Sequence, residues 1–257
     1  RAVLITHLHG DHVFGLPGLL QTMSLSNRTD PLMVCGPPGV GAALEAMMSV
    51  TEGETQYPVE VREVSGGESL DVNGLTVTVY ATDHGIASVG YVVQDRQRPG
   101  KLDAAKARSM GVTSGRDMAR LKNGETVNGV RPEDVIGPVI PGQRVAYSGD
   151  TRPCPTEGEA VRGADVIVHE ATYMESEAAQ AVDHFHTTAR QAAEIARDAC
   201  ARHLILTHIS NRYDDRSAVE AEARSVFPES YVAEDMGLFT LTSAGLRFDG
   251  VRTPENR

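Results

Sequence analysis

The sequence predicts one large domain of the α/β class. Its 257 residues, of which 40% are hydrophobic and 23% charged, are enough to bury a substantial core and have an ordinary globular composition. Short apolar runs of strand character alternate along the chain with segments of helical periodicity. Several of the apolar runs are followed directly by histidine or aspartate. These observations together indicate an α/β fold with a polar site at the ends of its strands.

A cluster of metal-binding residue types follows the first predicted strand, in the order His-Leu-His-Gly-Asp-His. His7 and His9 are two residues apart, so at a strand end they point the same way. Gly10 lets the backbone turn, which brings Asp11 and His12 back toward the same space. This arrangement predicts two neighbouring metal ions. Imidazole and carboxylate together favour zinc, with manganese or iron as alternatives.

The remainder of the first half of the chain is predicted to form two helices and five strands. The helices are predicted over residues 13–25, with an interruption at Gly15, Pro17 and Gly18, and over 40–50. The strands are predicted over 31–35, 59–64, 68–72, 75–81 and 89–93. Asn73 and Gly74 form a hairpin signal between two of these strands. The second helix has one apolar face, which begins at Val40 and Leu44.

In the second half, a helix with a clear start lies among further strands. Thr188 and Gln191 form a capping box, and the apolar face that follows ends at Ala199 and Cys200. A last helix is predicted over 219–226, and the strands are predicted over 144–148, 165–170, 203–208, 230–233 and 239–246, the last two completing the sheet edge. The three cysteines are widely spaced, so we expect reduced, buried thiols and no disulfide framework.

Potential metal ligands accumulate at the predicted strand ends. They come from four separate segments and are His7, His9, Asp11, His12, His84, Asp150 and His208. A dinuclear site needs about this many ligands, three for each metal and one shared carboxylate. Asp150 is the natural bridge because its two oxygens can each bind one metal. Each later residue alone could equally be a satisfied polar side chain or part of a turn.

Residues 95–142 differ from the rest of the chain. They contain many Gly and Pro residues and little periodicity, and the part from 95 to 131 has nine Lys or Arg and four Asp or Glu, a net charge of +5. The whole chain has a net charge of −11, which argues against a surface that generally coats nucleic acid. We therefore predict an inserted arm, with a short helix at 104–110, that contacts phosphates. An ordinary solvated loop with salt bridges is the alternative.

The sequence also indicates where the protein acts. No apolar run reaches the length of a transmembrane helix, and no signal peptide is visible, so we expect a cytoplasmic protein with no membrane contact.

The metal motif begins only six residues after Arg1. We expect that N-terminal strands which would lie beside this motif are missing from the chain.

Longer stretches of the sequence resemble the metallo-β-lactamase superfamily and, more narrowly, the ribonuclease Z family of tRNA 3′-processing endoribonucleases. The stretches that carry the resemblance are residues 7–20 (HLHGDHVFGLPGLL), 148–154 (SGDTRPC), 169–173 (HEATY), 186–193 (HTTARQAA) and 207–213 (THISNRY). The resemblance implies an αββα sandwich, two Zn²⁺ ions and hydrolysis of a phosphodiester in precursor tRNA by a metal-generated hydroxide, which removes the 3′ trailer.

The resemblance also implies a role for each site residue. It assigns one zinc to His7, His9 and His84, the other to Asp11, His12 and His208, and Asp150 to both. Asp11 would orient the attacking hydroxide or take its proton. Glu170 would hold His186 and make it more basic, so that it protonates the leaving 3′-oxygen. His184 competes with His186 for this role.

A substrate surface and a dimer are implied as well. In the family the arm grips tRNA, and residues 110–124 resemble its tip, although Gly115-Arg116 stands where Gly-Pro is usual. Arg116, Arg120 and Lys122 are the candidate arm contacts. Arg212 and Tyr213 are candidates near the site, with core-edge packing equally possible. We also expect a homodimer in which each arm serves the partner's site.

Two other functions are compatible with parts of the pattern. One is a small-molecule phosphodiesterase, arylsulfatase-like enzyme or lactonase of the same superfamily, for which a basic arm has no use. The other is an RNA-binding module without catalysis, against which the complete set of seven ligands argues.

Overall fold

The computed structural model describes residues 1–50, 54–242 and 244–252. Within these ranges the strands are β1 (Ala2–Leu4), β2 (Leu32–Gly36), β3 (Val59–Glu63), β4 (Ser69–Val72), β5 (Leu75–Ala81), β6 (Val89–Gln94), β7 (Arg144–Tyr147), β8 (Val166–Glu170), β9 (His203–Thr207), β10 (Ser230–Val232), β11 (Gly237–Thr242) and β12 (Gly245–Val251). The helices are α1 (Gly10–Val13), α2 (Leu16–Leu25), α3 (Val40–Ser49), α4 (Ala104–Ser109), α5 (Gly115–Lys122), α6 (Pro132–Val135), α7 (Pro155–Ala160), α8 (Ala178–Asp183), α9 (Ala189–Asp198) and α10 (Arg216–Arg224).

These elements form two units. One comprises Arg1–Gln94 and the chain from Arg144 onward, and the other is Asp95–Gln143. The first unit contains a three-stranded parallel sheet in the order β1-β2-β3. It also contains a seven-stranded sheet in the order β10-β9-β8-β7-β6-β5-β4, parallel from β10 to β7 and antiparallel from there to β4.

Strand alternation builds the layers of the first unit. Along β2, Leu32 and Val34 pack with α2 and α3, whereas Met33 and Cys35 pack against the face of β5 and β6. The other face of the large sheet, which includes Ile167, is covered by α9 and α10. The order of layers is therefore helix, sheet, sheet, helix. This confirms the αββα sandwich of the metallo-β-lactamase type.

The inserted unit has a small core of its own. The predicted helix near Ala104 is present as α4, but two further short helices, α5 and α6, accompany it. Their buried residues form one apolar cluster, which consists of Ala107, Val112, Leu121, Val127, Val130 and Val135. The weak periodicity of residues 95–142 therefore conceals an ordered unit, because each helix is too short to repeat its apolar face.

The helical segment over 13–25 is interrupted at Gly15, as predicted, and α2 begins with Pro17 in its first turn. Two local predictions are wrong. The segment predicted as an edge strand forms the separate antiparallel hairpin β11–β12, which turns before Gly245. Ser243, which the prediction included, lies outside the described residues. Cys200 is exposed, because α9 ends before it and its φ of 54° leaves helical geometry, while Cys35 is buried.

No helix within the described ranges is both long enough and apolar enough to cross a membrane.

Candidate metal centre and catalytic dyad

The His-rich motif lies where the two sheets meet. The amide of Ile5 donates to the carbonyl of Cys35 on β2, so the first strand continues to the edge of the motif. The carbonyl of Thr6 accepts from the amide of Val89 in the second sheet, at 2.9 Å. Asp11 and His12 follow in the first turn of α1. The backbone that carries the motif is therefore held by both sheets.

Gly149 allows the loop after β7 to approach this motif. Its φ is +62°, a conformation that costs little only for glycine, and a Cβ there would lie 2.7 Å from Cβ of Thr6. The close approach brings Asp150, the next residue, beside His7.

Four imidazole rings converge on one oxygen of Asp150. The distances from its Oδ2 to the Nε2 atoms are 3.3 Å for His12, 3.4 Å for His208, and 3.9 Å for both His7 and His84. These histidines come from three separate segments of the chain. Asp150 is 5% exposed, so its charge is directed at the imidazoles and is largely shielded from solvent.

Each of the two remaining candidate ligands lies beside one of these imidazoles. Nδ1 of His9 lies 3.2 Å from Nε2 of His84, and a carboxylate oxygen of Asp11 lies 3.4 Å from Nε2 of His12. The donor atoms of three groups each lie within 4.8 Å of one another; the groups are His7–His9–His84, Asp11–His12–His208 and His7–His12–Asp150. Two further groups meet the same distance and include His186; they are His84–Asp150–His186 and Glu170–His186–His208. The structure thus brings all seven sequence-predicted ligands together, and it groups the two predicted triads among them.

Burial and the neighbouring charges set the protonation of this cluster. Burial, with the positive charge of His12, lowers the pKa of His7 to about 3. Burial alone would raise the pKa of Asp150, but the hydrogen bond from His12 and the charges of His208, His12 and His7 outweigh it and lower that pKa to about 2. His7 is therefore neutral and Asp150 ionised near pH 7, which are the forms that bind metal ions.

The surroundings of one buried nitrogen, Nε2 of His7, show whether these residues are suited to bind a metal. Nε2 of His7 is buried and has no hydrogen-bond partner among the described residues. Its other ring nitrogen lies 3.1 Å from the hydroxyl of Thr6, which fixes the ring. An imidazole held at Nδ1, with a lone pair on an otherwise unpartnered Nε2, has the arrangement of a metal ligand supported by a neighbouring side chain. The residues fit a divalent metal.

Glu170 and His186 form a dyad beside the cluster. Glu170 is the last residue of β8 and is fully buried. Its Oε1 lies 2.7 Å from Nδ1 of His186 and also accepts the amide of Thr151, at 2.9 Å. Burial disfavours the charged form of His186, but the hydrogen bond to Glu170 and the charge of that carboxylate outweigh it, so the pKa of His186 is raised. His186 is therefore suited to deliver a proton.

His186 borders both triads. Its ring centroid lies 4.9 Å from that of His84 and 5.4 Å from that of His208. The competing candidate, His184, faces elsewhere and bonds through Nδ1 to the hydroxyl of Tyr173, at 2.7 Å. The structure therefore places His186, and not His184, against Glu170.

The other predicted contacts do not belong to this cluster. The guanidinium of Arg212 pairs with Glu177 at 2.7 Å and lies over the ring of Tyr173, and the hydroxyl of Tyr213 also bonds Glu177. Arg116, Arg120 and Lys122 lie on α5 of the inserted unit, where Arg120 pairs with Asp117 and Glu125.

Three features near the site were missed by the sequence reasoning. Thr172 bonds Glu170, and the carbonyl of Phe185, whose φ is +59°, lies 3.0 Å from Nδ1 of His84. His169 and Glu157, both fully buried, lie 2.9 Å apart. The stretch that contains His169, Glu170 and Thr172 was noted as a whole, but no local pattern specifies the partners of these side chains.

Comparisons with known proteins give concordant results. A family model described as the Beta-lactamase superfamily domain matches residues 1–101 and 110–209. A ribonuclease Z of Bacillus licheniformis is 42% identical over 240 residues, which cover 91% of this chain and 78% of that protein. A ribonuclease BN of Cronobacter sakazakii is 40% identical over 246 residues, covering 93% of this chain and 81% of that protein.

A solved structure resembles the chain in fold. The short form of human tRNase Z has a TM-score of 0.61 and 24% sequence identity, with 91% of this chain and 75% of that chain covered. At this identity the likeness supports the αββα architecture and nothing finer.

Proposed function

The chain belongs to the ribonuclease Z family of the metallo-β-lactamase superfamily, and on this premise we propose that it is a zinc-dependent endoribonuclease that removes the 3′ trailer from precursor tRNA. The observation that carries the proposal is the convergence of four imidazoles on Oδ2 of Asp150, with the Glu170–His186 dyad directly beside them. This combination supplies the groups that phosphodiester hydrolysis requires.

We assign a metal cofactor to the cluster and propose that it is two Zn²⁺ ions. His7, His9 and His84 would hold one, Asp11, His12 and His208 the other, and Asp150 both. When bound, such ions would lower the pKa of a bound water and stabilise the negative charge of the phosphate. Nitrogen and carboxylate donors in these proportions suit zinc, and Mn²⁺ or Fe²⁺ are the alternatives.

The chain's own residues then handle the protons. The carboxylate of Asp11 is 69% exposed and beside His12, where it can accept a proton from the attacking water. On the opposite side of the reaction, His186 donates a proton from Nε2 to the leaving 3′-oxygen, because its Nδ1 is already engaged by Glu170. Glu170, buried and fixed by backbone amides, stabilises the imidazolium before the transfer.

Precursor tRNA is the substrate that the family membership and the charge distribution support. The relatives named ribonuclease Z align over 91% and 94% of this chain. The inserted unit is basic within a chain of net charge −11, which favours a local contact with phosphates over general binding to nucleic acid. Arg116, Arg120 and Lys122 on α5 are the proposed contacts, with Arg212 and Tyr213 as further candidates.

We further propose a cytoplasmic homodimer. Phe14, Leu19 and Leu25, in and just before α2, are large apolar side chains with exposed fractions of 75%, 41% and 84%. Apolar side chains clustered along one short segment are typical of surfaces that associate. In such a dimer each inserted unit would serve the site of the partner subunit.

The substrate assignment is tested by comparing two phosphodiesters. Zinc-loaded protein is expected to cleave a precursor tRNA at the junction with its 3′ trailer and also to hydrolyse bis(p-nitrophenyl) phosphate. Hydrolysis of the small ester without processing of the precursor would refute the tRNA assignment and favour a small-molecule hydrolase. Binding of the precursor without any hydrolysis would favour a non-catalytic RNA-binding module.

A further inference from the structure

Thr172 lies between the proposed metal centre and the catalytic dyad. It is two residues beyond Glu170 at the end of β8, and it is 8% exposed. Its hydroxyl oxygen lies 2.7 Å from Oε2 of Glu170, 2.8 Å from Nδ1 of His208 and 3.2 Å from Nδ1 of His186. One hydroxyl therefore contacts a proposed metal ligand and both members of the dyad.

The chemistry of these groups fixes the direction of the hydrogen bonds. An ionised carboxylate only accepts, so the single hydroxyl proton of Thr172 goes to Glu170. The hydroxyl oxygen then has lone pairs to offer, and the 2.8 Å contact with His208 requires that Nδ1 of this ring carries the proton. The proton of His186 Nδ1 goes to Glu170, which lies closer, at 2.7 Å.

This assignment determines the tautomer of His208. With the proton on Nδ1, the lone pair is on Nε2, the atom that lies 3.4 Å from Oδ2 of Asp150. His208 also has a φ of +54°, an unfavourable conformation for a residue with a side chain. Because this backbone conformation is unfavourable, the surrounding structure holds the residue in place, and the contact of Thr172 with Nδ1 is part of those surroundings.

The other triad uses different partners. Nδ1 of His7 lies 3.1 Å from the hydroxyl of Thr6, and Nδ1 of His84 lies 3.0 Å from the carbonyl of Phe185. Removal of the Thr172 hydroxyl therefore leaves the partners of that triad unchanged.

We propose that Thr172 is a positioning residue that orients His208 for the second metal and connects this ligand to Glu170, an inference that rests on the proposed dinuclear zinc centre. The connection is a chain of hydrogen bonds from His208 through the Thr172 hydroxyl to the carboxylate that holds His186. Outer partners of this kind typically change metal affinity by about 10–100-fold when removed.

The test compares Thr172→Val, which keeps the shape but lacks the hydroxyl, with Thr172→Ser, which keeps the hydroxyl. Zinc binding to the whole protein is measured by competition with a chelator. Thr172→Val is expected to weaken one of the two zinc sites about 10–100-fold and to leave the other unchanged. Thr172→Ser is expected to stay within about threefold of the wild type at both sites.

A matched control and a spectroscopic readout separate positioning from general packing. Thr187 is fully buried, and its hydroxyl donates to the carbonyl of Thr151, so Thr187→Val removes a buried hydroxyl that touches no proposed ligand. This control is expected to bind both zinc ions as the wild type does. In Co²⁺-substituted protein, the visible spectrum is expected to change with Thr172→Val and not with Thr172→Ser.

The outcomes distinguish this inference from the proposed function. The role of Thr172 would be overturned if Thr172→Val bound two zinc ions with unchanged affinity. It would also be overturned if the Ser and Val variants lost zinc affinity equally. Either result would leave the dinuclear centre intact. Fewer than two zinc ions bound by the wild type would overturn the centre itself. If Thr172→Val does not fold, Thr172→Ala is compared with Thr172→Ser by the same criteria.

Discussion

Replacement of His186 by Ala separates proton donation from metal binding. Nδ1 of His186 is held by the buried Glu170 at 2.7 Å, and its side chain is only 15% exposed, so Nε2 is the atom that can reach a leaving group. Loss of a general acid typically slows a reaction about 10²–10⁴-fold, which corresponds to about 3–5 kcal/mol of transition-state stabilisation. We expect kcat/KM for precursor tRNA to fall by this factor.

The small ester provides the internal reference. Its leaving group, p-nitrophenolate, is a stable anion that departs without a proton, so His186→Ala is expected to slow hydrolysis of bis(p-nitrophenyl) phosphate less than about tenfold. His184→Ala is the matched control, since His184 bonds Tyr173 and not Glu170. Equal losses for both substrates, or loss of zinc from His186→Ala, would refute the assignment of His186 as the acid.

Three further predictions follow from the charges of the described residues. Glu170→Gln removes the negative charge that raises the pKa of His186, so the decline of precursor cleavage at high pH is expected to begin at lower pH, as a pH–rate profile would reveal; an unchanged profile would contradict the dyad. Deletion of residues 104–130 is expected to reduce precursor cleavage far more than hydrolysis of the small ester, and equal losses would mean that the inserted unit is structural. Burial opposes a charge on His169, but the carboxylate of Glu157 outweighs it and raises the pKa of His169 from 6.5 to about 9. Because the folded-state pKa is the higher one, this pair contributes stability below pH ~6.5 that is lost as the pH rises through about 9. The free energies of unfolding of wild type and Glu157→Gln, measured in urea by circular dichroism, are expected to converge as the pH rises. A difference that is the same at every pH would contradict the ion pair.

The candidate ligands could be predicted from sequence because strand ends are local features. His208 directly follows β9, and Asp150 follows β7 after Ser148 and Gly149. Both strands can be recognised from their apolar residues, and parallel strands of one sheet bring their carboxyl ends to the same edge. The order of residues in the first motif predicted two neighbouring metal ions, and the family resemblance implied the two triads. The structure places the donor atoms of each triad within 4.8 Å of one another. Candidate metal ligands that are defined by residue type and by position at a strand end could therefore be predicted from the sequence.

The partners that orient these ligands could not be predicted, because they depend on tertiary contacts. The contacts of the Thr172 hydroxyl require that two strand ends and the loop before α9 meet within 3.2 Å. Likewise, the left-handed backbone of Phe185 and His208 is imposed by the surrounding packing, because the local sequence disfavours it.

Longer-range packing also explains the local errors. Helices α5 and α6 have only eight and four residues, and their buried apolar side chains pack in the core of the inserted unit. The hairpin of β11 and β12 was predicted as a single edge strand because Leu241 and Leu246 belong to one largely apolar run. Gly245, with a φ of +132°, was the signal for the turn.

The central claim, that this chain hydrolyses a precursor tRNA phosphodiester with metal-activated water, is tested most directly by the chemical ends of the products. Attack by water and departure of the 3′-oxygen leave a 3′-hydroxyl on the tRNA and a 5′-phosphate on the trailer. The zinc-loaded protein is expected to give these ends at the 3′ junction, and cleavage is expected to stop when zinc is chelated and to resume when it is restored. A 2′,3′-cyclic phosphate on the tRNA, or cleavage that persists in the chelator, would contradict the claim.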